Sequence, residues 1–165
     1  METREYRMYG LTPYNISPIQ TGIQFGHAVV EYSNDHFNDP DYRQWADKNK
    51  TFIILNGGTT NMNIDTFGSL NQHEWDLTQA GITTAHFHEP DLGDQLTAVV
   101  FLVDDRVWNQ KKYPDYSGPM MSNFKKSWPV EYNYNKWKEQ FGELDSAEFD
   151  KIIFLREFLQ NFRLA

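Results

Sequence analysis

The chain has 165 residues, 16% of them aromatic, no cysteine and a formal net charge of −8. That length supports one domain with a real core plus an elaboration, and zero cysteines exclude disulfides, thiolate nucleophiles and thiolate metal sites. No apolar run approaches the roughly 20 residues of a bilayer-crossing helix, and Met1-Glu2-Thr3-Arg4-Glu5 lacks signal-peptide form, so no membrane partner and a cytoplasmic setting are expected.

The charge is unevenly spread. Residues 1–108 carry six Lys and Arg against fifteen Asp and Glu, a balance of −9, whereas residues 109–165 carry nine against eight. A grip on a long phosphate backbone rests on several cations, because counterion release supplies much of the affinity. The acidic core therefore counts against tRNA as a partner, although Lys111-Lys112 and Lys125-Lys126 could meet one or two phosphates.

In chain order, Tyr6 to Thr12 reads as a strand stopped by Pro13 and Asn15. Ser17 is suited to cap a helix and Pro18 to begin it; the helix should reach about Ser33, with Ile19, Ile23, Val30 and either Phe25 or Val29 as its core face. Gln20, Gln24 and His27 recur at i, i+4 and i+7, a polar stripe that is either a solvated face or the wall of a site. Asn34 to Asp41 has the composition of a loop, and Tyr42 to Lys48, around Trp45, that of a short helix. Thr51 to Leu55 is a continuous apolar run ended by Asn56-Gly57-Gly58, the pattern of a strand covered on both faces.

No period is evident from Thr59 to Gly68. Ser69 to Ala80 follows as a helix with Leu70, Trp75 and Leu77 inside and Gly81 at its end. Ile82 to His88 alternates as a strand, Glu89-Pro90-Asp91-Leu92-Gly93 turns, and Leu96 to Val103 is a second apolar strand. This order predicts the α/β class, with helices flanking a mixed sheet over residues 1–108. Residues 109–165 read as an aromatic extension. Its Tyr113 to Pro119, Trp128-Pro129 and Tyr132-Asn133-Tyr134 are irregular, and its last helix starts at Asp145 and Glu148 in capping-box fashion. Phe149, Ile152, Ile153, Leu155, Phe158, Leu159 and Phe162 form an amphipathic stripe on that helix, to be packed on its own domain or on a second subunit.

Several residues bear on chemistry. His86 and His88 place two imidazoles on one face of a strand, with Asp91 as a conceivable third zinc ligand; a hydrogen-bonded surface pair is the plainer reading. Gly57-Gly58-Thr59-Thr60 lacks the Lys-Ser or Lys-Thr of a phosphate-cradling loop and reads as a turn. In Asp104-Asp105-Arg106 the simplest expectation is a local ion pair, with Arg106 as an alternative substrate clamp. Trp108, Tyr113 and Tyr116 either stack a base or dock the extension.

The helix segment Gln24-Phe25-Gly26-His27-Ala28 resembles the first helix of the archaeal and eukaryotic type of peptidyl-tRNA hydrolase. Trp45 ahead of Lys50-Thr51-Phe52-Ile53-Ile54-Leu55, the helix end Gly81-Ile82, the acidic turn and Leu96-Thr97-Ala98-Val99 fall in that family's order, over about residues 5 to 105. The resemblance implies a three-layer sandwich around a four-stranded mixed sheet, a homodimer, and a site built from the first helix, the acidic turn and the last strand. His27, Glu89, Asp91 and Thr97 would be its catalytic groups.

The family's lysine four residues before the glutamine is replaced by Gln20. Attack of water on the ester builds negative charge on oxygen, and a glutamine amide carries no charge and shuttles no proton. Losing such a stabiliser costs about 2–4 kcal/mol of transition-state binding. The leading expectation is therefore a divergent member that binds a small nucleotide-like ligand through Gln20, Gln24, His27, Glu89, Asp91, Thr97 and Arg106. It would need no cofactor, and sequestering a signalling nucleotide would suit a phage or accessory protein. The alternatives are an active peptidyl-tRNA hydrolase with a rearranged site and a metal-dependent hydrolase using His86 and His88.

Overall fold

In the computed structural model, which describes residues 3–61, 68–114, 135–139 and 145–165, the first strand is the organising element. β1 (Tyr6–Pro13) pairs in parallel with β2 (Thr51–Gly58) and in antiparallel with β4 (Gln95–Asp104). β3 (Ala85–Glu89) lies antiparallel outside β4, so the sheet runs β2-β1-β4-β3. A parallel pair needs a long crossover, and here it holds α1 (Pro18–His36), α2 (Pro40–Gln44) and a wide helical turn, Trp45–Asn49. α3 (Ser69–Gln79) follows β2.

Alternation along β1 puts helices on both faces. A Cβ at Gly10 would sit 2.3 Å from the ring of Phe25 on α1, whereas Gly57 and Leu11 face Leu70 on α3. Helix, sheet and helix therefore form three layers, the α/β class expected. On the α1 side the core joins Met8, Phe25, Ala28, Tyr32, Tyr42, Trp45, Ala98 and Val100. The crossover is pinned by rings: Tyr32 on Tyr42 at 6.0 Å, Tyr42 on Trp45 at 5.7 Å, and Trp45 on Phe52 at 5.4 Å. The Trp45 indole also donates to the carbonyl of Thr51 at 3.0 Å.

Three expectations are corrected. Ile19, Ile23 and Val30 are exposed, and α1 buries Gln24, Phe25, Ala28 and Tyr32 instead. The sheet takes the stripe whose aromatic volume meets a glycine in β1. Trp75 is also exposed, since α3 presents Leu70, Asn71 and Leu77 to its neighbours. β2 is an edge strand with Phe52 55% exposed, while the other apolar run, β4, is central and almost wholly buried. The free edge of β2 is met by the last residues: Asn56 N–H donates to the carbonyl of Arg163, and Ala165 N–H to that of Ile54, each at 2.9 Å. No sequence signal marked that pairing, which covers an otherwise open edge.

The chain divides into a unit of residues 1–104 with 161–165 and a second unit of residues 105–160. The expected boundary after residue 108 thus moves to 104, because α4 (Asp105–Trp108) bonds within the second unit through Arg106 and Glu148. That unit also contains α5, helical at residues 135–139, and α6 (Ser146–Leu159). Asp145 caps α6 by accepting from the Ala147 amide, but Glu148 reaches Arg106 rather than completing a capping box. Tyr113 is buried beside Trp137 within this unit; Tyr116, Trp128-Pro129, Tyr132-Asn133-Tyr134 and most of Tyr113 to Pro119 lie outside the described residues. Among the described residues no helix is long and apolar enough to cross a membrane.

Candidate functional site

A bulge makes the site possible. Phe87 of β3 opposes Ala98 of β4 and His88 opposes Leu96, which leaves Thr97 as the extra residue of the ladder. Such an insertion re-aims a side chain, and the Thr97 hydroxyl reaches α1: it donates to Gln24 Oε1 at 2.5 Å, with the Phe87 carbonyl 3.3 Å away. Gln24 Nε2 then donates to Glu89 Oε2 at 2.7 Å and to Gln20 Oε1 at 3.3 Å. Because a carboxylate only accepts, these bonds fix which end of the Gln24 amide is nitrogen.

Glu89 is held from its other side as well. Its Oε1 accepts from the Asp91 amide at 3.2 Å, so Glu89 caps the short turn Pro90–Leu92 that Gly93 ends in a left-handed conformation, φ 68°. The hydrogen bond from Gln24, then that from the Asp91 amide, lower the Glu89 carboxyl below its ordinary pKa. His27, one turn beyond Gln24, is exposed and lies flat on Phe87 with ring centroids 4.4 Å apart.

Of the residues named from the sequence, Gln20, Gln24, Glu89 and Thr97 are thus joined by hydrogen bonds, but not all of them are exposed as a site wall requires. Gln24 is 2% exposed with both N–H groups engaged, and Thr97 is fully buried with its single proton given to Gln24. Both position Glu89 and cannot themselves line a pocket. Capacity remains on Gln20 Nε2, the His27 ring nitrogens and the Asp91 carboxylate, none of which has a hydrogen-bond partner among the described residues, and on Glu89. No Lys or Arg among the described residues pairs with Glu89.

Arg106 belongs to the second unit, where it is buried and its guanidinium donates to Glu148 at 2.6 Å. His86 and His88 do stand together, rings 4.9 Å apart, but His86 Nδ1 meets Glu74 at 3.0 Å. Among the described residues no group of three or more His, Asp or Glu is arranged to hold a metal. Thr12 escaped sequence reasoning. It lies two residues past Gly10 on the α1 side of β1, with its hydroxyl buried and without a partner; nothing but the fold distinguishes it from any other strand threonine.

Compared with protein-family models and with curated protein sequences, the chain matches none.

Proposed function

We propose that the protein is a divergent peptidyl-tRNA-hydrolase-like scaffold that binds a small nucleotide-like ligand. The observation that carries the reading is the chain Thr97–Gln24–Glu89, a relay buried at Thr97 and Gln24 that holds one carboxylate at the rim of α1, with no Lys or Arg paired to it among the described residues. A fixed carboxylate is a good acceptor for sugar hydroxyls, and Asp91 offers a second one two residues away. Gln20 adds a neutral donor and His27 a flat ring already stacked on Phe87.

The same features count against ester hydrolysis. A developing oxyanion needs aimed donors or a positive charge, and a carboxylate in their place repels it. Metal-dependent hydrolysis has less support still, since the His86 ring is engaged by Glu74. A homodimer in the cytoplasm, sequestering a signalling nucleotide, completes the proposal.

Calorimetric titration of the purified protein with cyclic and linear nucleotides tests it, alongside release of a blocked aminoacyl group from tRNA. We expect saturable heat with at least one nucleotide, weakened at least tenfold in Glu89→Gln, and no release above background. Robust release with no nucleotide heat would overturn the proposal in favour of the hydrolase. Sedimentation at micromolar concentration checks the dimer.

A further inference from the structure

A crevice of about 450 Å³ opens at the start of α1, on the side away from Glu89. It is lined by Ile54 and Asn56 of β2, Pro13 at the end of β1, Tyr14 and Ile16 of the β1–α1 connection and Thr21 of α1, with Ala165 beside them. Its place follows from topology. β1 is followed by a helix on one face of the sheet and β2 by a helix on the other, and in open α/β sheets such a divergence leaves a crevice outside the carboxyl ends of the two strands. The volume is in the range of small-molecule sites.

The chemistry of the lining narrows the ligand. No Lys, Arg, Asp, Glu or His side chain contributes to it, so a cation or anion would meet no charged side chain there. Asn56 Oδ1 accepts from the Gly58 amide at 2.9 Å, which pins the carboxamide and presents its NH₂ as a donor pair. That NH₂ and the Thr21 hydroxyl have no hydrogen-bond partner among the described residues. Tyr14, 63% exposed, stands at the rim with its ring available for stacking. Apolar walls, a fixed amide donor, a hydroxyl and a rim aromatic together suit a neutral planar ring bearing a carbonyl.

We infer that this crevice binds the base of a nucleoside, of the oxo-heteroaromatic class to which uracil and guanine belong, with the ring carbonyl accepting from Asn56. The inference rests on the proposed nucleotide-like ligand for its class, and adds where the ring sits. The crevice over β2 and the Glu89 cluster beside β4 flank the first turns of α1 with β1 between them. Glu89 itself stands on β3, three strand spacings or about 14 Å from β2.

Gly22 supplies the test. It lines the crevice, and a Cβ added there meets nothing within 4 Å, so Gly22→Leu fills the space while removing a helix glycine. Titrations with uridine and guanosine, and with their nucleotides, are compared in the wild type, Gly22→Leu, Asn56→Asp and Glu89→Gln. Asn56→Asp still accepts from Gly58 but presents an acceptor where the donor was. We expect nucleoside binding to fall at least tenfold in Gly22→Leu and in Asn56→Asp, as nucleotide binding does in Glu89→Gln, and to shift the Asn56 side-chain NH₂ signals in the wild type. Nucleotide binding that is indifferent to Gly22→Leu and Asn56→Asp but lost in Glu89→Gln overturns the crevice assignment and leaves the proposed function standing. Absence of binding by every nucleoside and nucleotide overturns both.

Discussion

Among the described residues each unit holds a buried polar cluster, around Arg156 in one and Gln24 in the other, and they are built on opposite rules. In the second unit Arg156 donates from Nε and Nη2 to the carbonyl of Arg106, at 3.1 and 2.6 Å, and from Nη2 to that of Tyr113 at 2.6 Å. Its guanidinium also lies 4.7 Å from the centre of the Trp137 ring. A full charge is there used to tie α4, the following turn and α6 together. In the first unit the cluster of Thr97, Gln24 and Glu89 has neutral members in the interior and its one charge at the rim. The lesson is that burial of polar groups does not by itself mark a site; what sets the first cluster apart is unused hydrogen-bonding capacity at its edge.

If that distinction is right, the charged cluster should cost most to break. Arg156→Leu leaves two buried carbonyls without their donor and removes a stacked cation, and we expect a loss of about 3–5 kcal/mol, the scale for breaking a buried charged network. Urea unfolding followed by tryptophan fluorescence measures it. Arg156→Lys should recover less than half, because an ammonium lacks the planar fork that serves both carbonyls. A loss below about 1 kcal/mol would show the cluster to be incidental.

Gln24→Leu is the matching experiment in the first unit and should cost less, about 2 kcal/mol, since a neutral amide is lost and Thr97 keeps the Phe87 carbonyl as a fallback acceptor. The ligand response sharpens the contrast. Breaking Arg156 should lower stability with little change in nucleotide affinity per folded molecule, whereas Gln24→Leu should weaken affinity by releasing Glu89. Equal effects on affinity would collapse the distinction between the two clusters.

Much of this was legible in the amino-acid order, and the failures share one cause. The spacing Gln20, Gln24, His27 marked the side of α1 that meets the acidic turn through Gln24, and that turn was read with Glu89 at its head. Yet Ile19, Ile23 and Val30 fit a helical period as well as Phe25, Ala28 and Tyr32 do, and periodicity alone cannot say which stripe a sheet will take. The choice depends on Gly10, fifteen residues before Phe25, whose missing Cβ leaves the space that the Phe25 ring fills. The bulge at Thr97 and the pairing of Arg163 to Ala165 on β2 are likewise matters of register between distant segments. Propensity within a segment carries no information about them. Arg106 shows the same limit: next to Asp105 in sequence, its guanidinium pairs with Glu148.

The smallest effects expected are two titrations of opposite sign, and they separate the site cluster from its neighbour on β3. Glu89 is lowered chiefly by the Gln24 hydrogen bond and then by the Asp91 amide, so its folded-state pKa lies below the unfolded one. Its contribution is present above the unfolded carboxylate pKa and disappears as pH falls through the folded value. His86 is raised chiefly by its hydrogen bond to Glu74, against some burial, with Glu31 and Asp35 adding attraction. Its contribution is full below the unfolded histidine pKa and is lost as pH rises through the raised one. Both groups are accessible enough that solvent screens them, and the readout is therefore the titration rather than the melting point. Side-chain NMR of Gln24→Leu should move the Glu89 carboxyl upward and leave His86 where it is, while Glu74→Gln should bring His86 down and leave Glu89 unmoved. A shift of both groups in either variant would mean that the imidazole pair and the carboxylate belong to one electrostatic site, and the neutral character assigned to the Thr97–Gln24–Glu89 cluster would have to be given up.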